Sequence, residues 1–548
     1  MVDADVDVPV LIIGGGPVGL TMALELAFHG VACMIVEPRT EVEHSRPRAK
    51  TTSARSMELF RRTGAAAEIR GRAPIPVSWS AEVRFCTTPA GRDITWFSDV
   101  LGLELENAQL TSEPGQQVTQ SIVEESLRHL LASRPAVQCR FGDTGLRVDL
   151  TGERPQVVVA DASGALTTVS CDYLVGADGA RSLVRHAMGA HYVGAAGGRP
   201  NVNITFRSRQ LADMLPERTA VHHWALNPAA PGVVGPLDLD GEWWAIATGT
   251  EHIDSDDEAA AVVRRLVGAD IDVEVLATDP WQARLLLSDS YRRGRAFLIG
   301  DAAHQNPPWG GHGFNTGVGD AVNLAWKLAA MLHGWAPPEL LESYEAERLP
   351  IAQQTIDLAV NNMKTLSNDL SSPELMIDGE AGDRARAAAA AVIQRTKRAE
   401  FHALGLVLGY GYGVDAGDQA PTTDVYTPMA RPGNRLPHQR NGRGDSLFDL
   451  LGPELTLLTS ASTPSAVTDA WCQAARRRGI PLRCVDPSAE GFAPVCGDDL
   501  VLVRPDQHIG WIGAADADCE VALDEALRGF IPRDHETRHE TSHETRRN

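Results

Sequence analysis

Residues 8–37 constrain the fold more than any other stretch. Val8–Ile13 is an apolar run of strand length that leads directly into Gly14-Gly15-Gly16-Pro17-Val18-Gly19. From Pro17 to His29 the apolar residues Val18, Leu20, Met22, Leu24 and Leu26 fit a helix, and Gly30 is a natural stop. A second apolar run, Val31–Val36, ends on Glu37. Strand, glycine-rich turn, helix, strand and acid, in that order, form the dinucleotide-binding fingerprint in the context it requires. Gly14 permits the tight turn, Gly16 lets backbone approach a pyrophosphate, and Gly19 lets helix and strand pack closely. Glu37 stands at the end of the second strand, where it can accept from ribose hydroxyls.

Two later apolar runs also end on an aspartate beside glycine. Tyr173-Leu174-Val175-Gly176 enters Ala177-Asp178-Gly179-Ala180-Arg181-Ser182, and Ala296-Phe297-Leu298-Ile299 enters Gly300-Asp301. A carboxylate at a strand end suits a ribose or ribityl hydroxyl. After Asp301 comes a loop with Pro307, Pro308, Gly310, Gly311 and Gly313, and from Asp320 a helical pattern (Ala321, Leu324, Ala325, Leu328, Ala329, Leu332). Glycines before a helix leave backbone N–H groups free to meet an anion or a polarised carbonyl. Between the fingerprint and these motifs, Arg46, Arg48, Lys50 and Arg55 form a basic cluster that, in so acidic a chain and just after a nucleotide fold, suggests phosphate or flavin contact.

The acidity itself excludes partners. Fifty Lys and Arg against 72 Asp and Glu leave a formal charge of −22, which disfavours nucleic acid and anionic membranes. The N-terminus lacks a basic and apolar leader and no run of apolar residues is long enough to span a bilayer, so a cytoplasmic protein is expected. The eight cysteines are scattered with no CxxC pair, which argues against a zinc site or a dithiol redox centre; no metal is expected. At 548 residues the chain is long enough for about three domains.

Composition and patterning divide it. Residues 79–110 and 191–287 read as β-rich; on Asn201–Arg207 the residues Asn201, Asn203, Thr205 and Arg207 share one face, and Val202, Ile204 and Phe206 the other. His222 and His223 are adjacent on a strand, so they point to opposite faces. Residues 137–169 read as antiparallel strands. A Pro, Gly and Arg-rich stretch, 411–444, reads as a linker, and 445–530 as a small α/β domain. The tail repeats His-Glu-Thr and is expected to be disordered over 531–548.

The fingerprint with Glu37, the Ala177-Asp178-Gly179 motif and Gly300-Asp301-Ala302-Ala303-His304 together resemble the class A FAD-dependent aromatic monooxygenases, over roughly residues 8–410. NPPWGGHGFNTGVGDAVNLAWKLA is similar to the phenol, chlorophenol and polyketide hydroxylase branch. PGNRLPH, SLFDLLG and LVRPDQHIGWIG resemble that branch's thioredoxin-like C-terminal domain, here without CxxC and so structural rather than redox-active. The implied architecture is α/β: a Rossmann-like FAD-binding domain of the glutathione-reductase type (1–78, 111–190, 288–410), an interleaved β-sheet substrate domain (79–110, 191–287), and the thioredoxin-like domain.

The resemblance also implies roles. Gly14, Gly16, Pro17 and Gly19 face the FAD pyrophosphate and Glu37 the adenosine ribose. Arg48 neighbours the flavin ring, Gln120 contacts FAD, and Asp178 serves FAD and a transient NAD(P)H. Gly300 and Asp301 hold the ribityl and pyrophosphate region, and Pro308, Gly311, Gly313 and Asn315 flank the isoalloxazine. Thr119, Trp309 and His312 depart from the branch's usual residues, which touches pocket shape. The implied reaction uses NAD(P)H and O2 to hydroxylate a phenolic or polycyclic, polyketide-like aromatic through a flavin C4a-hydroperoxide. A monomer or homodimer acting on a small aromatic substrate is expected. The sequence identifies no base for activating the phenol; the candidates are His222, His223, Arg207 and the backbone around Pro307-Pro308. The competing classes are a flavin halogenase, whose WxWxIP stretch is absent, a disulfide reductase, whose CxxC is absent, and a non-catalytic nucleotide-binding module, which leaves both aspartate motifs unexplained.

Overall fold

The computed structural model describes residues 2–103, 109–364, 370–413 and 423–531. Val2–Ile13 runs through the middle of a parallel sheet ordered Ala296–Leu298, Leu166–Gly176, Val2–Ile13, Cys33–Glu37 and Val137–Phe141. Strands covered on both faces need apolar residues at every position rather than at alternate ones. Val10, Leu11, Ile12, Met34, Ile35, Val36, Leu174 and Val175 accordingly lie wholly inside. All these strands end at one edge, where Gly14, Glu37, Ala177 and Gly300 follow, and ligands of open α/β sheets bind outside such an edge.

The helix Pro17–Phe28 is apolar almost all round because it lies between this sheet and the long helix Gly313–Leu332. The region 137–169 departs from the expected antiparallel reading at its first strand. Val137–Phe141 extends the parallel sheet beside Cys33–Glu37, and only Thr144–Asp149, Gln156–Ala160 and the start of Leu166–Gly176 form the antiparallel ribbon. Local alternation could not reveal a partner a hundred residues upstream.

A second sheet has seven strands, in the order Glu274–Trp281, Asn201–Arg207, Glu242–Thr248, Gly232–Pro236, His222–Ala225, Val83–Cys86 and Asp93–Phe97. Its two outer strands from residues 83–97 thus meet strands from 201–281. One face (Val202, Ile204, Phe206, Ala225, Val234, Ala245) packs on the helix Asp256–Val267. The other turns toward the loop Ser45–Lys50 of the first unit, where the Thr205 hydroxyl donates to the Ser45 carbonyl at 3.2 Å.

The C-terminal unit is a four-stranded sheet, Leu482–Val485, Leu455–Leu458, Leu500–Val503 and Ile509–Gly513, backed by the helices Ser465–Arg477 and Cys519–Arg528. Its core is continuous with Trp326 and Trp335 of the first unit. Residues 423–444 are not a free connector: Arg435, Leu436 and His438 are buried, and Arg435 pairs with Glu58. The Sγ atoms of Cys472 and Cys484 lie 3.3 Å apart as free thiols, a proximity the twelve-residue spacing did not suggest. No cluster of potential metal ligands exists among the described residues, and no helix among them is long and apolar enough to cross a membrane. The tail, apart from Ile531, lies outside the described residues.

Candidate active site

The fingerprint turn has no room for side chains where it must be tight and open space where a ligand would lie. At Gly14, with φ +105°, a Cβ would stand 2.3 Å from the Ala177 carbonyl oxygen, and at Gly19 it would stand 2.0 Å from that of Gly14. At Gly16 a Cβ would meet nothing within 4 Å. The helix that follows has Pro17 in its first turn and no side-chain cap, so its positive end faces that space. Glu37 is buried beside it, accepting from the Gly15 N–H at 2.6 Å and from Arg39 Nε at 2.7 Å.

The two strand-end aspartates share one wall. Asp178 Oδ2 accepts from the Leu183 and Val184 N–H groups, whereas its buried Oδ1 has no partner, and burial raises its carboxyl. Arg185, one turn on, bridges the motifs by donating to the carbonyls of Ala180 and Ala302. Asp301 is open to the cleft yet ringed by protein. Loss of water raises its carboxyl, and His304 and Arg48 act in the opposite direction. Gly300 is placed by Asp320, which accepts its N–H at 3.1 Å, His304 Nε2 at 2.8 Å and Arg348 Nε at 2.8 Å in a fully buried cluster.

Opposite them stands the basic loop. Arg48 has φ +46°, a left-handed conformation that a side chain of its size rarely adopts and that occurs most often at functional sites. The Gln120 N–H holds the loop by donating to the Ala49 carbonyl at 2.9 Å, and the Gln120 side chain donates to Glu124. The third wall is the loop 306–313 before the long helix, turned by Gly310 and Gly311 at φ +83° and +69°. Pro308 is exposed there, and the helix beginning at Gly313 again has no side-chain cap. Asn315 fastens this loop to the basic segment. Its Oδ1 accepts from the Ser53 N–H and the Ser56 hydroxyl, and its Nδ2 donates to the carbonyls of Thr51 and Gly311. Asn306 has both amide atoms buried without partners, a costly state that a ligand would relieve. A cavity of about 40 Å³ behind this loop, lined by Arg55, His312, Arg348 and Tyr410, is large enough for a few water molecules and too small for an aromatic ring.

The three side-chain candidates for phenol activation separate cleanly. Arg207 is exposed at a strand end and held by Glu242 at 2.7 Å and Glu274 at 3.0 Å. His223 pairs with Val234 on the helix-packed face, so it points away from the cleft. His222 lies on the cleft face and meets the Trp244 ring edge-on, centroids 5.2 Å apart. Two residues gained significance only in three dimensions. Asn306 hides within a loop read for its prolines and glycines, and Lys50, one of the basic cluster, reaches 4.4 Å from the Trp244 ring centroid.

Residues 7–359 match the family model described as FAD binding domain, and residues 429–532 match that of the aromatic-ring hydroxylase C-terminal region. The chain belongs to the FAD-dependent aromatic-ring monooxygenases. Members similar to it include a putative polyketide hydroxylase of Streptomyces halstedii, 31% identical over 92% of this chain and 93% of the relative. Phenol 2-monooxygenase of a Pseudomonas species is 30% identical over 96% and 93%. The solved structure of the flavin-dependent monooxygenase PieE with FAD and substrate superposes with a TM-score of 0.86, at 30% identity over 96% of this chain and 99% of that one. FAD is therefore this monooxygenase's cofactor and NAD(P)H its reductant. The three unfilled features above, the open space at Gly16, the lone Asp178 Oδ1 and the unpaired Asn306 amide, fit a dinucleotide laid along the crevice.

Proposed function

We propose that this monooxygenase hydroxylates a ring carbon ortho or para to a phenolic oxygen on a polycyclic, polyketide-like aromatic. The observation that carries this reading is the cleft between the flavin-side loops and the polar face of the seven-stranded sheet. Trp281 of the sheet and Trp309 of the 306–313 loop meet edge to face there, ring centroids 6.3 Å apart, and the buried Trp244 lies on the same face of the sheet. Flat aromatic walls suit a flat aromatic substrate. The similarity to a polyketide hydroxylase and to phenol 2-monooxygenase supports the same class.

In this reading Gly14, Gly16, Pro17 and Gly19 hold the pyrophosphate of FAD, Glu37 its adenosine ribose, and Asp301 with Gly300 its ribityl chain. Asp178 and Gln120 line the crevice between them. Arg48, Asn306, Pro308, Gly311, Gly313 and Asn315 surround the ring. When bound, FAD supplies electrons taken from NAD(P)H and the activation of O2 for transfer of one oxygen atom. The protein's share is orientation and dryness. The uncapped start of the helix at Gly313 offers positive backbone potential to negative charge nearby, and the tryptophans keep water from the reacting carbon. The buried cluster of Asp320, His304 and Arg348 holds the Gly300–Asp301 turn in place from behind.

The test is anaerobic reduction of the FAD-loaded protein by NADPH and NADH, followed by 18O2 and product mass with phenols and hydroxyquinones. Bleaching of the flavin and a single labelled oxygen in the product are expected. A flavin that no phenol or hydroxyquinone allows either nucleotide to reduce would sink the assignment.

A further inference from the structure

Against the cleft face of the seven-stranded sheet lies a charged group of the Ser45–Lys50 loop that the fold does not use. Lys50 is half-buried, and its Nζ has no hydrogen bond or ion pair among the described residues. Its Nζ lies over the face of Trp244, 4.4 Å from the centroid. The Lys50 backbone is fixed, its carbonyl accepting from the Val118 N–H at 2.9 Å, so the side chain is aimed rather than free. Trp244 is fixed too: it seats over Gly235, where a Cβ would stand 2.7 Å from the indole nitrogen. His222 meets the same indole edge-on, with a buried Nδ1 that has no partner.

The surrounding charges leave one net positive centre. From the strand Glu274–Trp281, Asp279 faces Lys50 but is already engaged by Arg46 at 3.7 Å. From the loop, Arg48 faces Asp301. From the strand His222–Ala225, His222 is held down to about 3 by burial and then by the Lys50 charge, so it is a neutral imidazole at working pH. Burial brings Lys50 down to about 8, which leaves it charged at neutral pH. A half-buried ammonium without a hydrogen-bond acceptor is costly, and an anion arriving beside it offsets the cost.

We infer that Lys50 binds the phenolic oxygen of the substrate as its oxyanion, with the neutral His222 imidazole as the second polar contact beside it. This deepens the function proposed above and rests on it. The phenol gives its proton to solvent on binding, Lys50 keeps its own, and no other bond changes. The consequence is chemical: a phenolate ring is richer in electrons at its ortho and para carbons than a phenol, and so a better acceptor of electrophilic oxygen. It also sets specificity, favouring rings with an acidic hydroxyl over ethers of the same shape.

The probe is 1,4-dihydroxyanthraquinone, whose visible band moves on ionisation, titrated into full-length FAD-loaded protein at pH 7. Wild type should bind it with the ionised band appearing, its apparent pKa in the complex lowered by about three units from the ~10 of an ordinary phenol, so that about half of it is ionised at pH 7. Lys50→Arg should retain the ionised band. Lys50→Met should bind the neutral form, at least tenfold more weakly, with its flavin absorbance unchanged. Binding of the neutral form alone by wild type, no saturable binding, or an ionised band in Lys50→Met would each overturn the inference. So would Lys50→Arg behaving like Lys50→Met, since that would make Lys50 a proton acceptor instead. The wild-type spectrum decides even where a variant fails to fold. Flavin bleaching by NADPH on the same sample separates the two proposals. A reducible flavin beside a neutral probe keeps the monooxygenase and removes the role of Lys50.

Discussion

Replacing Glu58 by glutamine tests how the C-terminal unit is held to the rest. Glu58 is fully buried on the helix Ala54–Arg61. It accepts from Arg435 Nε at 2.8 Å, from Arg55 Nη1 at 2.5 Å, from the Thr111 hydroxyl at 2.9 Å and from the Ser112 N–H at 3.2 Å. Arg55 in turn donates to Gln507 and to the Asp506 carbonyl of the C-terminal unit. Burial alone would raise the Glu58 carboxyl; Arg435 and then Arg55 outweigh it and hold the group at about 2 against an ordinary 4.5. That difference corresponds to about 3 kcal/mol at neutral pH, in line with the ~3–5 kcal/mol typical of breaking a buried pair. Because the folded value is depressed, the contribution is complete above the unfolded value of 4.5 and is lost as pH falls toward 2. Glu58→Gln mimics the protonated carboxyl in shape and neutrality. Its deficit in urea unfolding should therefore be about 3 kcal/mol at pH 7 and narrow to about 2 kcal/mol at pH 3.5. A variant as stable as wild type at pH 7, or a deficit that does not narrow on acidification, would refute the reasoning.

Other outcomes follow from the site. Asp301→Ala should weaken FAD binding roughly 10-fold to 150-fold, the loss of a charged hydrogen bond of ~1.5–3 kcal/mol, read by flavin fluorescence on titration; wild-type affinity would remove its role. Gly14→Ala combines a φ of +105° with a Cβ contact of 2.3 Å to the Ala177 carbonyl, so it should cost at least about 1–3 kcal/mol and lower the melting temperature even without cofactor. Arg207→Ala loses only exposed ion pairs worth ~0–1 kcal/mol, and FAD affinity and product formation should match wild type; a defect in turnover would return Arg207 to the site.

The fingerprint was legible because its geometry is local. Gly14, Gly19 and Glu37 serve a single strand–turn–helix–strand unit, to which the structure adds the Gly15 N–H to Glu37 contact. The aspartate motifs were legible for the same reason, each being the end of a buried strand. Partnerships across long separations were not. The parallel pairing of Val137–Phe141 with Cys33–Glu37 carries no local signature. Nor does the burial of Arg435, which reads as linker composition until Glu58 is seen beside it. Alternation told that His222 and His223 point apart, but not which of them faces the cleft. That choice is made by the register of His223 with Val234 over the helix Asp256–Val267. Lys50 was visible as one basic residue among four, and only the indole of Trp244 distinguishes it.

The Asn315 clamp has a further consequence for how the holoenzyme is made in the cell. One side of the crevice begins at Gly14, and the other is closed by an amide about 300 residues later in the chain. At ~5–20 residues per second a ribosome needs about 15–60 s between the two. Throughout that interval the first strand–turn–helix lacks the Gly313–Leu332 helix that packs on it. On the proposed assignment of Gly14–Gly19 and Glu37 to the pyrophosphate and adenosine of FAD, the nascent half-site meets that end alone, and loading of the flavin end should wait for release of the later segment. Overexpression faster than flavin supply should consequently yield apoprotein with a solvent-open crevice, and feeding riboflavin late in synthesis should recover more holoenzyme than feeding it early and withdrawing it.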